Sequence, residues 1–259
     1  MNGAYWFRND NWLDYEVSEC DWYMGVPTEA EQETYNYKFR GHCDEDGHLI
    51  LVHFNNNNLT GTGQEAFIWL EFLEYIDCSY NNIAGPIVRT PIMPNLQVLV
   101  IAHTQVSGVL YDSGNVVYSS IRVVRLDGNN LYNQISNIWR LYPNIEIFNG
   151  TGNEFQVELV PGISDCSKLR YIGVADIALF GSLPSEIGLL THLYELDVSG
   201  NTNLVGTIPS ELGLLNNSSF VLDVRDTSIN GTIPAEICEG AIQVIADCAV
   251  VGCCDAGQH

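Results

Sequence analysis

Basic side chains are scarce in this chain of 259 residues. Ten Lys and Arg stand against 32 Asp and Glu, which gives a formal net charge of -22. A surface of this sign repels phosphate backbones, so nucleic acid is not an expected partner. The excess of carboxylates suits a cationic partner or saline, calcium-rich surroundings, and it equally serves solubility alone.

Long apolar runs are also missing. No stretch approaches the ~20 apolar residues that a membrane-spanning helix needs, so no span is predicted. Met1 to Ala4 lead directly into aromatic and acidic sequence, without the basic start and apolar core of a signal peptide. The chain is therefore interpreted either as a mature protein that has lost its leader or as a fragment of a longer one.

Sequence motifs of catalysis are absent as well. The chain contains no Gly-x-Ser-x-Gly, His-Glu-x-x-His or phosphate-loop pattern, and its six His are scattered. Carboxylate pairs of the kind used in glycoside hydrolysis arise on any acidic repeat protein, at no special distance. The sequence predicts a protein that is not an enzyme and that carries no cofactor.

Cysteines and glycosylation sequons indicate the compartment. Six of the eight cysteines lie near the two ends of the chain, which predicts disulfide-stapled termini in an oxidising environment. A zinc site is the alternative for the last four, although no Cys-x-x-Cys pair is present. The terminal cysteines are Cys20, Cys43, Cys238, Cys248, Cys253 and Cys254, and the sequons are Asn58, Asn149, Asn216, Asn217 and Asn230. Together they favour a secreted or cell-surface glycoprotein.

An internal repeat fills the middle of the chain. Its clearest copies are Gly181–Leu190 and Gly206–Leu215, and Gly231–Cys238 begins in the same way. An Asn-like position recurs every 23 to 26 residues, a period typical of solenoid proteins. The positions are Asn57, Asn81, Thr104, Asn129, Asn153, Ile177, Asn201 and Thr227.

Each copy predicts one short strand. In Leu196-Asp197-Val198 the alternation turns the two apolar residues inward and the aspartate outward. The same pattern predicts eight parallel strands, centred near residues 53, 77, 100, 125, 149, 173, 197 and 223. An inward Asn can bond the backbone of the following turn, so stacked Asn residues form a ladder. Thr104 and Thr227 can replace part of it, a local defect is expected at Ile177, and Cys78 is expected to be a buried free thiol.

The segment Leu193 to Pro209 resembles the plant-type leucine-rich repeat, with Leu-x-x-Leu-x-Leu-x-x-Asn followed by Gly-x-Ile-Pro. The resemblance implies an α/β solenoid of about eight repeats of ~24 residues over residues 48–236, with one parallel sheet on its concave face. Residues 1–47 resemble the family's N-terminal cap, which implies a Cys20–Cys43 disulfide. Residues 237–259 resemble the cysteine-rich C-terminal cap of diatom and algal members, which implies that its four cysteines pair among themselves.

Proteins of this family bind through the concave sheet, so the outward residues of the strands and turns are the candidate site. Aromatic and His side chains dominate its first half, where they are candidates to stack a sugar ring or anchor a peptide. Acidic residues dominate its second half, where they form either a solvated face or a site for a basic peptide or calcium. The candidates are His53, Tyr75, Asp77, Tyr80, His103, Arg125, Asp127, Tyr171, Asp176, Glu195, Asp197, Asp223, Arg225 and Asp226.

The resemblance implies an extracellular recognition module, like a receptor ectodomain or an inhibitor, which binds a peptide, protein or glycan. One alternative is a structural or adhesive cell-wall or matrix protein that self-assembles. A more remote alternative is ice binding, which needs a flat row of Thr or Asn. Ser182, Thr207 and Thr232 supply three aligned positions for such a row.

Overall fold

The computed structural model describes residues 40–62, 71–86, 93–108, 117–134, 138–215, 220–239, 242–247 and 250–251. The chain forms two compact units. The first comprises Met1–Ser113 and Val123–Leu131, and the second comprises Gly114–Arg122 and Tyr132–His259. Within the described ranges, no helix is both long and apolar enough to cross a membrane.

The first unit is built from short strands that alternate between two sheets. In its principal sheet, β2, β4, β6 and β8 pair in parallel, and β1 adds to β2 in antiparallel orientation. In its secondary sheet, β3, β5, β7 and β9 pair in parallel. The strands are β1 (Arg40–Cys43), β2 (Leu49–His53), β3 (Thr60–Thr62), β4 (Tyr75–Asp77), β5 (Asn82–Pro86), β6 (Val98–Val100), β7 (Gln105–Gly108), β8 (Val123–Arg125) and β9 (Asn130–Gln134), whose first two residues belong to this unit.

The second unit repeats this plan. Its principal strands are β10 (Ile147–Asn149), β12 (Tyr171–Gly173), β14 (Glu195–Asp197), β16 (Val221–Asp223) and β19 (Gln243–Ile245), all parallel. Its secondary strands are the rest of β9, β11 (Glu154–Gln156), β13 (Phe180–Gly181), β15 (Asn203–Gly206), β17 (Ser228–Ile229), β18 (Gly231–Thr232) and β20 (Val250–Val251). Its helices are α1 (Ile138–Leu141), α2 (Ala235–Glu239) and the 3-10 helices η1 (Pro161–Asp165), η2 (Ser185–Leu189) and η3 (Ser210–Leu214).

All eight predicted strands are present and parallel, with three corrections. Each predicted centre is in fact the last residue of its strand, because the residue three places further on turns the chain at positive φ. A ninth parallel strand, β19, follows the eight repeats, inside the predicted cap. The Asn-based spacing missed it because no Asn-like residue follows Gln243–Ile245. The antiparallel β1 also lies ahead of the repeats.

The predicted inward residues form the core. Val52, Ile76, Phe148, Leu196 and Leu222 are all buried at the middle of their strands or next to it. Packing of this kind contributes roughly 25 cal/mol for each square ångström of apolar surface removed from water. The 3-10 helices close the core on the opposite side through residues such as Ile187 and Leu212. One repeat cannot bury its apolar face alone, so stacking is what stabilises each unit.

The predicted asparagine ladder is confirmed, and Asn201 shows how it works. Its Oδ1 accepts hydrogen bonds from the backbone N–H groups of Ile177 and Leu179, at 3.2 and 2.9 Å. Its Nδ2 donates to the carbonyls of Val174 and Val198, both at 2.8 Å. One buried side chain therefore satisfies backbone groups in two consecutive repeats, which removes a large desolvation penalty.

The substitutes in the ladder do only part of this work. Oγ1 of Thr227 donates to the carbonyl of Val224 at 2.7 Å and accepts from the N–H of Ile229 at 3.3 Å, both in its own turn. Ile177 has no polar group to offer and is buried. The backbone of the next residue, Ala178, has a φ of 58°, in the left-handed region that an alanine rarely adopts. Asn58, which follows the Asn of the first repeat, also has a positive φ, so the defect expected at Ile177 stays a prediction.

The cysteines divide as expected where they are described. Cys78 and Cys166 are buried and free, whereas Cys43 and Cys238 are disulfide-bonded. Their predicted partners, Cys20, Cys248, Cys253 and Cys254, lie outside the described residues. The individual pairings, and the alternative of a zinc site, therefore stay predictions.

Candidate recognition surface

Side chains that point away from the core cover the open face of each principal sheet. Parallel register aligns the last residues of neighbouring strands in rows across this face. In the first unit the row is His53, Asp77, Val100 and Arg125. In the second unit it is Asn149, Gly173, Asp197, Asp223 and Ile245. The register therefore brings the predicted candidates of each unit onto one surface.

The first two repeats hold an aromatic group around a nearly buried carboxylate. His53 stacks on Tyr75 with ring centroids 6.1 Å apart, and its Nε2 lies 3.5 Å from Oδ2 of Asp77. Only 7% of Asp77 is exposed. Its Oδ1 accepts from the N–H and the hydroxyl of Ser79, at 2.9 and 2.5 Å. Burial, together with the charge of Asp77, raises the pKa of Tyr75. Asp77 thus acts as an internal acceptor that orders the turn.

Tyr80, His103 and Asp127 form a second group in this unit. The rings of Tyr80 and His103 are stacked, with centroids 4.7 Å apart and planes 23° from parallel. Nε2 of His103 lies 3.3 Å from Oδ2 of Asp127. Tyr80 is 57% exposed. Arg125, two residues before Asp127, is also exposed. We name Tyr80, His103 and Asp127 the ring cluster.

The second unit carries the acidic part of the face. Asp197 accepts from the N–H and the hydroxyl of Ser199, at 3.0 and 2.7 Å. Asp223, in the next strand, accepts from Nε and Nη2 of Arg225, the latter at 2.6 Å. Each of these two carboxylates is therefore hydrogen-bonded to a residue of its own turn. Neighbouring side chains limit their solvation, and Asp223 is only 7% exposed.

The outer edge of this acidic surface is more open. Asp176 and Asp226 are exposed and take a positive φ in the turns that follow β12 and β16. The N–H of Asp226 donates to Oδ2 of Asp247 at 2.6 Å. The side chain of Asp176 covers Gly200, where any Cβ would overlap its carboxylate. The glycine is therefore required by both its φ of 72° and its neighbour.

Asn149 and Gly173 are paired at the ends of β10 and β12. Gly173 has no side chain, and the atoms nearest to its missing Cβ are Oδ1 of Asn149 and the hydroxyl of Tyr171. Asn149 is 7% exposed, and its Oδ1 accepts from the N–H of Thr151 at 3.2 Å. A glycan on Asn149 would have to leave from a buried amide. Asn58 and Asn230, by contrast, are exposed in turns.

Sequence reasoning missed three features of this surface. Tyr194 lies beside Tyr171, with ring centroids 6.2 Å apart, and Asp247 belongs to the ninth repeat that the spacing did not detect. The third feature is the local bonding of the acidic residues. Asp or Asn followed two places later by Ser or Thr is a known signal for such side-chain turns, and it recurs at Asp77, Asn149 and Asp197.

Metal ligands do not converge on the predicted acidic row within the described ranges. The group of three that does bring its ligand atoms within 4.8 Å of one another is Asp44, Asp46 and His48, in the loop between β1 and β2. Asp44 already accepts from the N–H groups of Asp46 and His48, which orders that loop. Backbone bonding by His48 also lowers the pKa of Asp44.

Glu195 provides a pH test of the acidic surface. Burial, followed by the charges of Asp197 and Asp223, raises its pKa. A raised carboxyl pKa favours the folded state at low pH, and this contribution is lost as the pH rises through the folded-state value. We expect Glu195→Gln to stabilise the protein by a few tenths of a kcal/mol at pH 7, because the group is only partly buried and solvent screens its charge. The effect should be smaller at pH 4, where the carboxyl is protonated in both states. Denaturant unfolding at both pH values measures this. Glu154→Gln, an exposed glutamate of β11, is the control, and equal effects of the two variants would contradict the assignment.

Comparison with known proteins identifies the fold. No protein-family model and no curated protein matches the chain. Solved structures do. The leucine-rich-repeat ectodomain of the plant receptor kinase GASSHO1/SCHENGEN3 from Arabidopsis thaliana, in complex with CASPARIAN STRIP INTEGRITY FACTOR 2, is 27% identical over 76% of this chain and 24% of that one, with a TM-score of 0.65. The Arabidopsis receptor kinase HAESA, in complex with the peptide hormone IDA and the co-receptor SERK1, is 25% identical over 77% and 34%, with a TM-score of 0.66.

A plant ice-binding protein shares the fold at 17% identity, over 84% of this chain and 88% of that one, with a TM-score of 0.56. The chain spans only 24% and 34% of the two receptor chains. Its fold is a leucine-rich-repeat solenoid, and the receptor ectodomains that resemble it are proteins of the plant type.

Proposed function

We propose that this chain is a non-catalytic, extracellular recognition module that binds a peptide or a peptide-like segment of a protein through the open faces of its principal sheets. The ordered rows of dissimilar side chains on those faces carry the proposal. Aromatic rings and imidazoles line the first unit, carboxylates line the second, and rigid strands hold both. The two similar receptor ectodomains, solved with CASPARIAN STRIP INTEGRITY FACTOR 2 and with a peptide hormone, support it.

The chemistry of the face is better suited to binding than to catalysis. Asp77, Asp197 and Asp223 accept hydrogen bonds from their own turns, so these carboxylates are held as ordered acceptors. Such preorganisation lowers the entropy that binding would otherwise lose. The proposal therefore includes no enzymatic step and no cofactor.

An extracellular setting is part of the same proposal. Disulfide-bonded Cys43 and Cys238 suit an oxidising compartment. We propose that Asn58 and Asn230 accept glycans, because both are exposed, and that Asn149 stays bare, because it is buried. The open face then remains free for its partner. We also propose that residues 237–259 form a cysteine-closed cap of the diatom and algal type.

Peptide selection tests the binding proposal. The protein is secreted from a eukaryotic host, immobilised and used to select from a displayed random peptide library. We expect enriched peptides to lose about tenfold or more in affinity for a Tyr80→Ala, Glu195→Ala double variant, because each unit loses one contact residue. The control is Tyr132→Ala, Glu154→Ala, which removes the same residue types from paired positions of the secondary sheet. Failure to enrich any peptide, or equal losses in both variants, would refute the proposal.

Self-assembly is the second candidate, and one observation favours it. Leu189 and Leu214 end the neighbouring helices η2 and η3 and are about three-fifths exposed, at 60% and 62%. The net charge of -22 opposes contact between copies, so association through this patch should increase with salt. Analytical ultracentrifugation of the wild type and of Leu214→Ser at two salt concentrations decides this. A stable monomer under all conditions would remove the candidate.

Ice binding has less support. Ser182 and Thr207 approach the glycines that begin the next copies, Gly206 and Gly231, at 3.3 Å from the expected Cβ positions, so the predicted row is aligned. Its three positions in the described residues make a short surface, and the fold likeness alone says nothing about ice.

A further inference from the structure

Two bulky rings occupy a backbone position that otherwise holds small or turn-forming residues. This position lies three residues beyond the end of each principal strand from β2 to β16, and in all eight cases φ is positive, between 50° and 72°. Gly fills three of the eight positions, and Asn or Asp fills three more. The occupants in chain order are Asn56, Tyr80, His103, Gly128, Gly152, Asp176, Gly200 and Asp226.

Tyr80 and His103 are the exceptions. Left-handed backbone is unfavourable by about 1–2 kcal/mol for most residues with a side chain, whereas Gly tolerates it and Asn, Asp and His adopt it more often than other residues. The strain therefore falls chiefly on Tyr80, which has no such tendency. Strain of this kind is retained where a side chain has a use. The rings do not fill the core, since Tyr80 is 57% exposed and the side chain of His103 is 46% exposed. Both rings are therefore accessible to a ligand at the surface.

Contacts within the ring cluster hold its rings in a fixed orientation at the surface. His103 is held from two sides, by the ring of Tyr80 and by the carboxylate of Asp127 at 3.3 Å. Only 13% of the Asp127 side chain is exposed, and its Oδ1 has no hydrogen-bond partner among the described residues. Gly128 makes this arrangement possible, because a Cβ there would overlap the imidazole. The result is a fixed aromatic surface backed by an incompletely satisfied negative charge.

This chemistry favours a flat cation. A guanidinium stacks on aromatic faces, is weakly hydrated and is attracted to the ring quadrupole. Asp77 and Asp127 add negative potential in the same unit, and the whole chain at -22 attracts cationic ligands. Arg125 opposes this locally, because it ends β8 two residues before Asp127 and is exposed. A neutral sugar would gain nothing from the charge.

We propose that Tyr80, His103 and Asp127 form a subsite for an arginine side chain of a bound peptide. The proposal rests on the peptide-binding function proposed for the open face, and it adds which residue of the peptide is recognised and where. The guanidinium stacks against the exposed Tyr80 ring, and the Asp127 carboxylate supplies the attraction.

Titration with a blocked tripeptide tests the subsite. The probes are acetyl-Gly-Arg-Gly-amide and its neutral, nearly isosteric partner in which citrulline replaces arginine. Shifts of the Tyr80 and His103 ring signals are followed by NMR at low salt. We expect the arginine peptide to bind with a dissociation constant on the order of 1 mM, and the citrulline peptide to bind about fivefold more weakly.

Variants of the chain separate the ring from the charge. Tyr80→Ala should weaken arginine binding about threefold or more, and Tyr80→Phe should stay within about twofold of the wild type because the ring is kept. Arg125→Gln should strengthen binding by removing a like charge. The control is Tyr132→Ala, which removes a half-exposed tyrosine from β9. Equal affinity for the two peptides, an unchanged affinity in Tyr80→Ala, or preferential shifts with methyl glucoside would each overturn the proposal.

The two proposals fail separately. Random peptides that depend on Tyr80 and Glu195, but no response of Tyr80 to acetyl-Gly-Arg-Gly-amide, would refute the arginine subsite and leave peptide binding intact. A ring shift without any selected peptide would show a cation site and refute the wider function on which the proposal rests.

Discussion

Replacing Asn201 with Leu is expected to destabilise the protein by roughly 3–6 kcal/mol. The side chain is 1% exposed and serves the N–H groups of Ile177 and Leu179 and the carbonyls of Val174 and Val198. Leaving a buried polar group unsatisfied costs about 1–3 kcal/mol, and leucine can satisfy none of the four. The loss is a large part of the ~5–15 kcal/mol that holds a typical domain together. Guanidinium unfolding followed by circular dichroism measures it.

Two further variants make this prediction specific. Asn203→Leu is the same change two residues away, at an exposed position, and should alter stability by less than about 0.5 kcal/mol. Asn201→Thr should fall between the two, because Thr227 at the equivalent place bonds only its own turn. It also keeps the test decisive if Asn201→Leu does not fold. Similar midpoints for Asn201→Leu and Asn203→Leu would contradict the role given to the ladder.

The repeats could be predicted well from the sequence because each repeat carries several independent signals of the same structure. The apolar alternation, the Asn-like position and the Gly-x-Ile-Pro segment all report the same period, so an error in one is corrected by the others. Where only one signal remains, prediction fails. Gln243–Ile245 has no following Asn, and the sequence did not predict this strand. The predicted strand centres fall at the last residues of the strands, because apolar spacing does not reveal the positive φ at positions such as Tyr80.

The candidate surface was less predictable for a physical reason. Strand alternation correctly assigned Asp77 and Asp223 to the open face, but it could not show that both carboxylates are nearly buried there. Exposure there depends on Ser79 and Arg225 within the same turns and on rings from neighbouring repeats, such as His53 beside Asp77. A pattern with period two describes one strand, and it carries little information about side chains that meet across repeats.

The buried thiols of Cys78 and Cys166 are expected to resist alkylation by at least about a thousandfold relative to a free cysteine, because reaction requires the repeat to open. Burial, followed by the charge of Asp165, raises the pKa of Cys166 to about 11, and burial with the charge of Asp77 raises the pKa of Cys78 well above its usual range. The reactive thiolate is therefore scarce at neutral pH. Labelling within the folded state should accelerate more between pH 7 and pH 9 than labelling of an ordinary thiol, because an ordinary thiol is already largely ionised near its pKa of about 8.5.

Labelling with N-ethylmaleimide and peptide mass spectrometry decide the matter. Without reductant, native protein should stay unlabelled, and protein in guanidinium should be labelled at Cys78 and Cys166 while the six terminal cysteines remain protected as disulfides. Ser167→Cys is the matched control, since it places an exposed thiol next to Cys166 and should react at the rate of a free cysteine. Rapid native labelling of Cys78 would contradict its inward position beside β4, and with it the register of that repeat. Labelling of the terminal cysteines in guanidinium would instead refute the stapled ends, and with them the argument for an oxidising compartment.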